Sequence, residues 1–166
     1  MIKSTIKFLI DPFLRRVMKS YSWHTFKLWQ VANKIEFTPL ATKKSVLFSH
    51  AKLTLKESSP LYTKSAKDLF VNVDEIIFPQ IITHQEWGTD NNKNFLSHLR
   101  GEKIGLIDVG ANVGLFTRQI LIASDKITHA YCFEPKNSNF ELAKANLKSF
   151  TNASLFNFGL ADVNKA

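Results

Sequence analysis

Apolar and polar positions alternate with two different periods in the second half of the chain. Short, nearly continuous apolar runs are typical of buried strands, and they fall at 103–109, 127–133 and 153–158. Apolar positions three or four residues apart are typical of helices, and they fall at 113–123 and 135–150. Strands that alternate with helices of this length indicate right-handed βαβ units. We therefore predict an α/β fold with a doubly wound parallel sheet, of which only three strands are present.

The first half of the chain shows other patterns. In residues 1–30, apolar residues recur every three or four positions between basic ones, which predicts amphipathic helix. Apolar runs typical of short strands follow at 45–48, 52–55, 69–73 and 75–78. A small antiparallel element is therefore expected ahead of the parallel sheet. Between the two, a helix capped by Thr89 or Asp90 is expected over 89–100.

The composition fits one globular domain. The chain has 166 residues, of which 45% are hydrophobic, and this is enough for a packed core. No apolar run approaches the roughly 20 residues that cross a bilayer. Cys132 is the single cysteine, so the chain cannot form an internal disulfide, and we expect a reducing, cytoplasmic setting. The five histidines lack metal-ligand spacing, so we expect no metal site.

Charge is distributed unevenly along the chain. Residues 1–70 carry 13 Lys/Arg and 4 Asp/Glu, whereas residues 71–166 carry 9 and 10, so the total of +8 divides into +9 and −1. A basic first half is typical of a chain with an anionic partner, either nucleic acid or an acidic membrane surface. A basic surface that only keeps the protein soluble explains the same numbers.

The most informative motif joins the first parallel strand to its helix. Asp108 ends the strand, and Gly110 and Gly114 follow with three residues between them. Glycines let the turn be tight and let the backbone approach a ligand, and Asn112 is suited to cap the helix that follows. Dinucleotide sites have the different spacing Gly-x-Gly-x-x-Gly. A carboxylate two residues before the first glycine would repel a pyrophosphate, so a cationic ligand is favoured.

A second acid lies at the end of the next strand. Glu134 is twenty residues beyond Gly114, a place and distance suited to accepting hydrogen bonds from ribose hydroxyls. One acid compatible with a cation and one compatible with ribose together favour S-adenosyl-L-methionine, which has an ammonium, a sulfonium and a ribose but no phosphate. The sequence therefore predicts S-adenosylmethionine as cofactor.

Three segments resemble successive motifs of a known family. They are 107–116, then 133–135 with 139–142, then 157–162. From about residue 80 to residue 166 the chain resembles FkbM-type S-adenosylmethionine-dependent methyltransferases, which belong to class I and have a Rossmann-like fold. The resemblance implies that Asp108, Gly110 and Gly114 hold the methionine end of the cofactor and that Glu134 holds the ribose.

The resemblance also implies weaker assignments. The backbone of Leu160 and the side chain of Asp162 would lie near the adenine. Glu86 stands where such proteins often have an acid before the first parallel strand. His84 lies close by in sequence and is a candidate, with Glu86, for helping an acceptor hydroxyl lose its proton.

The family pattern stops at the third parallel strand. Its fourth strand, which lies near the acceptor in this family, has no counterpart here, so we expect a fragment of a longer protein. We assign residues 1–80 to a basic helical and β accessory region and residues 81–166 to the first half of the cofactor-binding domain. The first parallel strand, including Leu106 and Ile107, is expected to form an open edge with two apolar faces.

Three functional hypotheses follow. The leading one is a methyltransferase that acts on an oxygen of a carbohydrate or related small metabolite, a substrate class that the family resemblance alone implies. The second is an RNA or protein methyltransferase, which the basic first half favours, although its aromatic residues do not interleave with basic ones as in single-strand binders. The third is a truncated, non-catalytic product that binds a partner or the membrane periphery through residues 1–30.

Overall fold

The computed structural model describes residues 35–41, 46–73 and 76–162. The amphipathic helix expected in residues 1–30 lies outside these ranges. Within them, no helix combines the length and the apolar character that a membrane span requires. The described residues form two three-stranded sheets and four helices.

The first sheet is antiparallel and confirms the expected small β element. Its strands are β1 (Ile35–Ala41), β2 (Val46–Thr54) and β3 (Asp68–Asn72), paired in that order. Residues 46–48 and 52–54 of the two apolar runs expected at 45–48 and 52–55 lie in the single strand β2. The pairing of β1 with β2 shifts register next to Pro39. Among the described strands β1 lies at the edge of its sheet, and a proline, which has no N–H to donate to a neighbouring strand, is tolerated there.

Two helices connect the sheets. Helix α1 spans Ile77–His84 and helix α2 spans Thr89–His98. The prediction of a strand at 75–78 is therefore wrong, since residues 77 and 78 begin a helix. Ile77, Phe78 and Ile81 are buried together at helical spacing, and Pro79 lies in the first turn, where no backbone donor is needed. The capping prediction for α2 is also wrong, because Gly88 occupies the N-cap position with no side-chain cap.

The second sheet is parallel, and it confirms the predicted α/β fold. Strands β4 (Ile104–Val109), β5 (Ile127–Phe133) and β6 (Ala153–Phe156) pair in that order, with helices α3 (Leu115–Ala123) and α4 (Asn137–Leu147) as the crossovers. The carboxyl ends of all three strands therefore lie along one edge. This is the partial Rossmann-like sheet that the alternating pattern predicts.

Helices cover one face of this sheet. On β4, Leu106 and Asp108 are buried, whereas Ile107 and Val109 are 66% and 61% exposed. Among the described strands β4 pairs only with β5, so no described strand covers its other edge, as expected. Of the two apolar faces expected on β4, only the one with Ile107 is exposed within the described part of the chain.

The two sheets share packing and hydrogen bonds. One apolar cluster joins β2, β3 and α1 to residues around the start of α3, and Leu142 of α4 belongs to it. Arg118 of α3 is fully buried and donates from Nε to the carbonyl of Leu61 at 2.7 Å and from Nη1 to that of Asp68 at 2.8 Å. These contacts fix the first sheet against the parallel one. The division of the chain at residue 80 stays a prediction.

Candidate functional site

The loop between β4 and α3 has three residues with left-handed backbone. Gly110, Asn112 and Gly114 have φ angles of 81°, 51° and 78°. The amides of Gly110 and Ala111 both donate to the carbonyl of Phe133 on β5, at 2.9 and 3.0 Å. Because of these bonds, the loop turns sharply at the end of β4 and lies across the end of β5.

The two glycines of the motif have different surroundings. A β-carbon placed on Gly110 would have no atom within 4 Å, so this side of the loop faces open space. A β-carbon on Gly114 would lie 3.1 Å from Cδ1 of Leu147 and 3.4 Å from Cβ of Ala143, both on α4. Gly110 is therefore the position where a ligand can approach the backbone, and Gly114 is needed for helix packing.

Asn112 does not act as the expected helix cap. Helix α3 begins after Gly114, which is its N-cap residue, and no side chain caps it. Instead, the backbone N–H of Asn112 donates to Oε2 of Glu134 at 2.8 Å. The side-chain Oδ1 of Asn112 is buried and has no hydrogen-bond partner in the described part of the chain. A buried acceptor of this kind costs free energy, which a ligand that donates a hydrogen bond would offset.

Glu134 is held in place by backbone amides. Its side chain is buried, Oε2 accepts from Asn112 and Oε1 accepts from the N–H of Lys136 at 2.9 Å. A carboxylate oxygen has two lone pairs, so each oxygen retains one acceptor site. The arrangement is suited to a vicinal diol such as that of a ribose.

Asp108 is buried at the end of β4 and carries one short hydrogen bond. The hydroxyl of Thr117 donates to its Oδ2 at 2.5 Å. Burial raises the pKa of Asp108; the Thr117 hydrogen bond opposes this shift and the charge of Glu134 adds to it. Two carboxylates near each other give the site a negative potential, which favours a cationic ligand over a phosphate.

The segment after β6 passes beside Glu134. Nδ2 of Asn157 donates to the carbonyl of Glu134 at 2.9 Å, and a β-carbon on Gly159 would lie 3.7 Å from Cβ of Pro135. Leu160 and Asp162, which the family resemblance assigns to the adenine, follow this segment and are exposed. The structure therefore places the third motif (157–162) beside the second (133–135). The assignment of Leu160 and Asp162 to the adenine stays a prediction.

His84 and Glu86 line a different cavity. It has a volume of about 430 Å³ and a mainly polar lining, which includes Asp90 and Lys93 but neither Asp108 nor Glu134. Oε2 of Glu86 accepts from the hydroxyl of Thr89 at 3.0 Å, so this acid holds the start of α2.

One side chain connects this cavity to the helix of the motif. The amide of Gln119 on α3 donates to the Thr89 hydroxyl at 3.4 Å. The other end of the same side chain, Oε1, is buried without a hydrogen-bond partner among the described residues. His84 and Glu86 thus line a cavity that includes neither acid of the motif, and Gln119 of α3 contacts its lining residue Thr89.

The site also contains residues that sequence reasoning missed. Thr117 is fully buried and contacts both Asp108 and Cys132, whose Sγ lies 3.3 Å from the hydroxyl. A threonine in an amphipathic helix gives no signal in the pattern of apolar positions. Its distance of nine residues from Asp108 becomes informative only once the strand, loop and helix are in place.

Comparison with known proteins adds little. No family model matches the chain, and no curated protein matches it significantly. Among solved structures, a tRNA (m1A58) methyltransferase from Aquifex aeolicus aligns with 79% of this chain at 20% identity and a TM-score of 0.37. The chain spans 58% of the length of that structure. A similarity this weak establishes neither a shared fold nor a shared function, so the FkbM-type resemblance stays a prediction.

Proposed function

We propose that this chain supplies the S-adenosylmethionine-binding part of a methyltransferase. The observation that carries the proposal is the joint position of Asp108 and Glu134, at the ends of two neighbouring parallel strands and on either side of one left-handed loop. Ligands of open α/β sheets bind outside the carboxyl ends of the strands. Neither carboxylate forms an ion pair with a described residue, and a site with two such carboxylates suits a cation that carries a diol.

The residues of the site divide the cofactor between them. Asp108 attracts the ammonium and the sulfonium, and the open side of Gly110 gives the methionine end access to the backbone. Oδ1 of Asn112, buried and without a partner among the described residues, would be satisfied by a donor hydrogen of the ligand. Glu134, already oriented by two amides, accepts from the ribose hydroxyls. Bound S-adenosylmethionine would supply a methyl group that its sulfonium has already activated.

For the acceptor we propose an oxygen of a carbohydrate or related metabolite. This substrate class follows from the resemblance to FkbM-type methyltransferases, and the polar cavity at His84 and Glu86, which includes neither acid of the motif, is not an argument for it. His84 is exposed in that cavity and would take the proton of the acceptor hydroxyl only from an acceptor that extends from the cavity to the motif loop. With an activated methyl group, orientation of the acceptor would matter more than this proton transfer.

The cofactor assignment is tested by calorimetric titration with S-adenosylmethionine. We expect Asp108→Ala and Glu134→Ala each to weaken binding by about tenfold or more, since hydrogen bonds to charged groups contribute about 1.5–3 kcal/mol. Glu141→Ala is the matched control, because this glutamate is an exposed carboxylate on α4. Unchanged affinity in both site variants would remove the basis of the proposal.

The acceptor is tested separately by transfer of a labelled methyl group. The protein is incubated with labelled S-adenosylmethionine and either a panel of mono- and disaccharides or total tRNA. We expect label in the sugars and a lower rate in His84→Gln. Label in the tRNA alone would replace the carbohydrate proposal with the RNA alternative and leave the cofactor site intact.

A further inference from the structure

Three residues from three elements meet beneath the proposed methionine end of the site. Asp108 and Cys132 are direct neighbours across β4 and β5. Thr117 lies above them in the first turn of α3, and its hydroxyl is 2.5 Å from Oδ2 of Asp108 and 3.3 Å from Sγ of Cys132. Thr117 is fully buried and Cys132 is 1% exposed, so water does not compete for these contacts.

The direction of the hydrogen bonds follows from the chemistry of the groups. An ionised carboxylate only accepts, so the single hydroxyl proton of Thr117 points to Asp108. The lone pairs of the hydroxyl then face the thiol. Burial raises the pKa of Cys132 to about 11, so at neutral pH its sulfur keeps a proton that it can donate to Thr117. The result is a chain of donors from Cys132 through Thr117 to Asp108.

We infer that Thr117 is the positioning residue of Asp108, and this inference rests on the proposed function. Its hydroxyl occupies Oδ2 and fixes the orientation of the carboxylate, so that Oδ1 is the oxygen presented to the cationic end of the ligand. Helical threonine has few χ1 choices, and here the hydroxyl bonds to Asp108 rather than to a carbonyl of the preceding turn.

The other groups around Asp108 make this hydroxyl important. Glu134 is the charged group that acts on Asp108, and it opposes ionisation. Cys132 is neutral, and none of the ion pairs formed by described residues includes Asp108. Thr117 therefore stabilises the ionised form of Asp108 without help from a basic side chain in this part of the chain.

The test compares Thr117→Val, which keeps the shape and removes the hydroxyl, with Thr117→Ser, which keeps the hydroxyl. Binding of S-adenosylmethionine is measured by calorimetry from pH 5 to pH 8. We expect Thr117→Val to bind about tenfold more weakly at neutral pH. We also expect the pH midpoint of its binding to move upward, because Asp108 loses the donor that favours its ionised form. Thr117→Ser should restore both values.

A second readout separates this inference from the proposed function. The carboxyl carbon of Asp108 is titrated by NMR in the ligand-free protein, and its midpoint should rise in Thr117→Val and return in Thr117→Ser. If the wild-type protein does not bind S-adenosylmethionine, the proposed function fails, while the NMR titration still decides the relation of Thr117 to Asp108. An unchanged midpoint in Thr117→Val, with or without weaker binding, overturns the inference. If Thr117→Val does not fold, a shifted midpoint in Thr117→Ser overturns it.

Discussion

The side chain of Asn146 on α4 pairs with the backbone of Phe70 on β3 in both directions. Oδ1 accepts from the N–H of Phe70 at 2.7 Å, and Nδ2 donates to its carbonyl at 2.7 Å. The second hydrogen of Nδ2 is used by the carbonyl of Val113, also at 2.7 Å. The amide therefore replaces a neighbouring strand at the edge of the first sheet and connects that edge to the motif loop.

Replacing Asn146 with alanine should reduce the free energy of unfolding by about 1–3 kcal/mol, because buried backbone groups lose their partners. Urea denaturation monitored by circular dichroism measures this. Lys144→Ala on the exposed side of the same helix is the control, and its effect should stay within about 0.5 kcal/mol. Equal effects of the two substitutions would show that the amide contributes nothing specific.

Arg118 should be still more sensitive to substitution. Its guanidinium donates to the carbonyls of four residues, namely Leu61, Ala66, Asp68 and Asn146. Burial lowers its pKa to about 10, which leaves it charged at neutral pH. We expect Arg118→Met to lower the free energy of unfolding by about 3 kcal/mol or more, since several buried acceptors lose their donor at once.

The matched control is Arg100→Met. Arg100 is exposed, and among the described residues it donates only within its own turn, to the carbonyl of Ser97 at 3.0 Å. Its substitution should change stability by less than about 0.5 kcal/mol. Arg118→Lys should also destabilise, because a single ammonium does not reproduce the planar fork of donors. Full stability of Arg118→Met in urea would contradict this view of the buried guanidinium.

Strand β5 illustrates what local patterns predict well. It was expected at 127–133 and spans Ile127–Phe133. Helices α3 and α4 each begin two residues later than their apolar spacing indicates. Just before each helix a loop amide bonds to the side chain of Glu134 instead: the N–H of Asn112 does so across the site, and the N–H of Lys136 does so two residues along the chain. Periodicity thus finds the elements, and contacts between elements decide where they begin.

Residues whose hydrogen-bond partners are distant in sequence cannot be identified from such local patterns. The carbonyls bound by Arg118 lie 28 to 57 positions away in sequence, and Asn146 is 76 positions from Phe70. Thr117 is near Asp108 only after β4, the loop and α3 have formed. The acids and glycines of the site were predictable because their spacing follows from the strand–loop–helix unit itself, whereas the hydroxyl that orients one of the acids was not.

Alanine substitutions at the two motif glycines, Gly110 and Gly114, should affect ligand binding and protein stability to different degrees. Alanine at either position has an unfavourable left-handed backbone, at a cost of about 1–2 kcal/mol. Gly114→Ala must also displace Leu147, so we expect a further loss of about 1–3 kcal/mol from overpacking. A methyl group at Gly110 meets no described atom within 4 Å, but it would project into the space where we propose that the ligand approaches.

Gly110→Ala should therefore lose most in affinity for S-adenosylmethionine, and Gly114→Ala most in resistance to urea. Calorimetry and urea denaturation on the same two preparations make the comparison. Equal losses of stability in Gly110→Ala and Gly114→Ala would mean that Leu147 can move aside without a measurable loss of free energy. Undiminished binding by Gly110→Ala would place the ligand away from this side of the loop.

Ionisation of Asp108 gives the site a measurable pH signature. The pKa of an unfolded aspartate is about 3.9, and burial raises the pKa of Asp108 in the folded protein. The folded state then binds this proton more tightly than the unfolded state does. The contribution of Asp108 to stability is therefore fully present below about pH 4 and is lost as the pH rises through the folded pKa.

Asp108→Asn removes this titration while keeping an acceptor for Thr117. We expect its melting temperature to exceed that of the wild type at pH 7, and the advantage to disappear as the pH falls below about 4. Asp125→Asn removes one carboxylate from the exposed surface and is the control for the loss of one negative charge. Parallel curves for Asp108→Asn and wild type would contradict the raised pKa. Greater stability together with weaker cofactor binding would show that the buried charge is retained for its ligand. The fold is more stable with the Asp108 carboxyl group neutral, whereas binding of a cation requires it to be ionised.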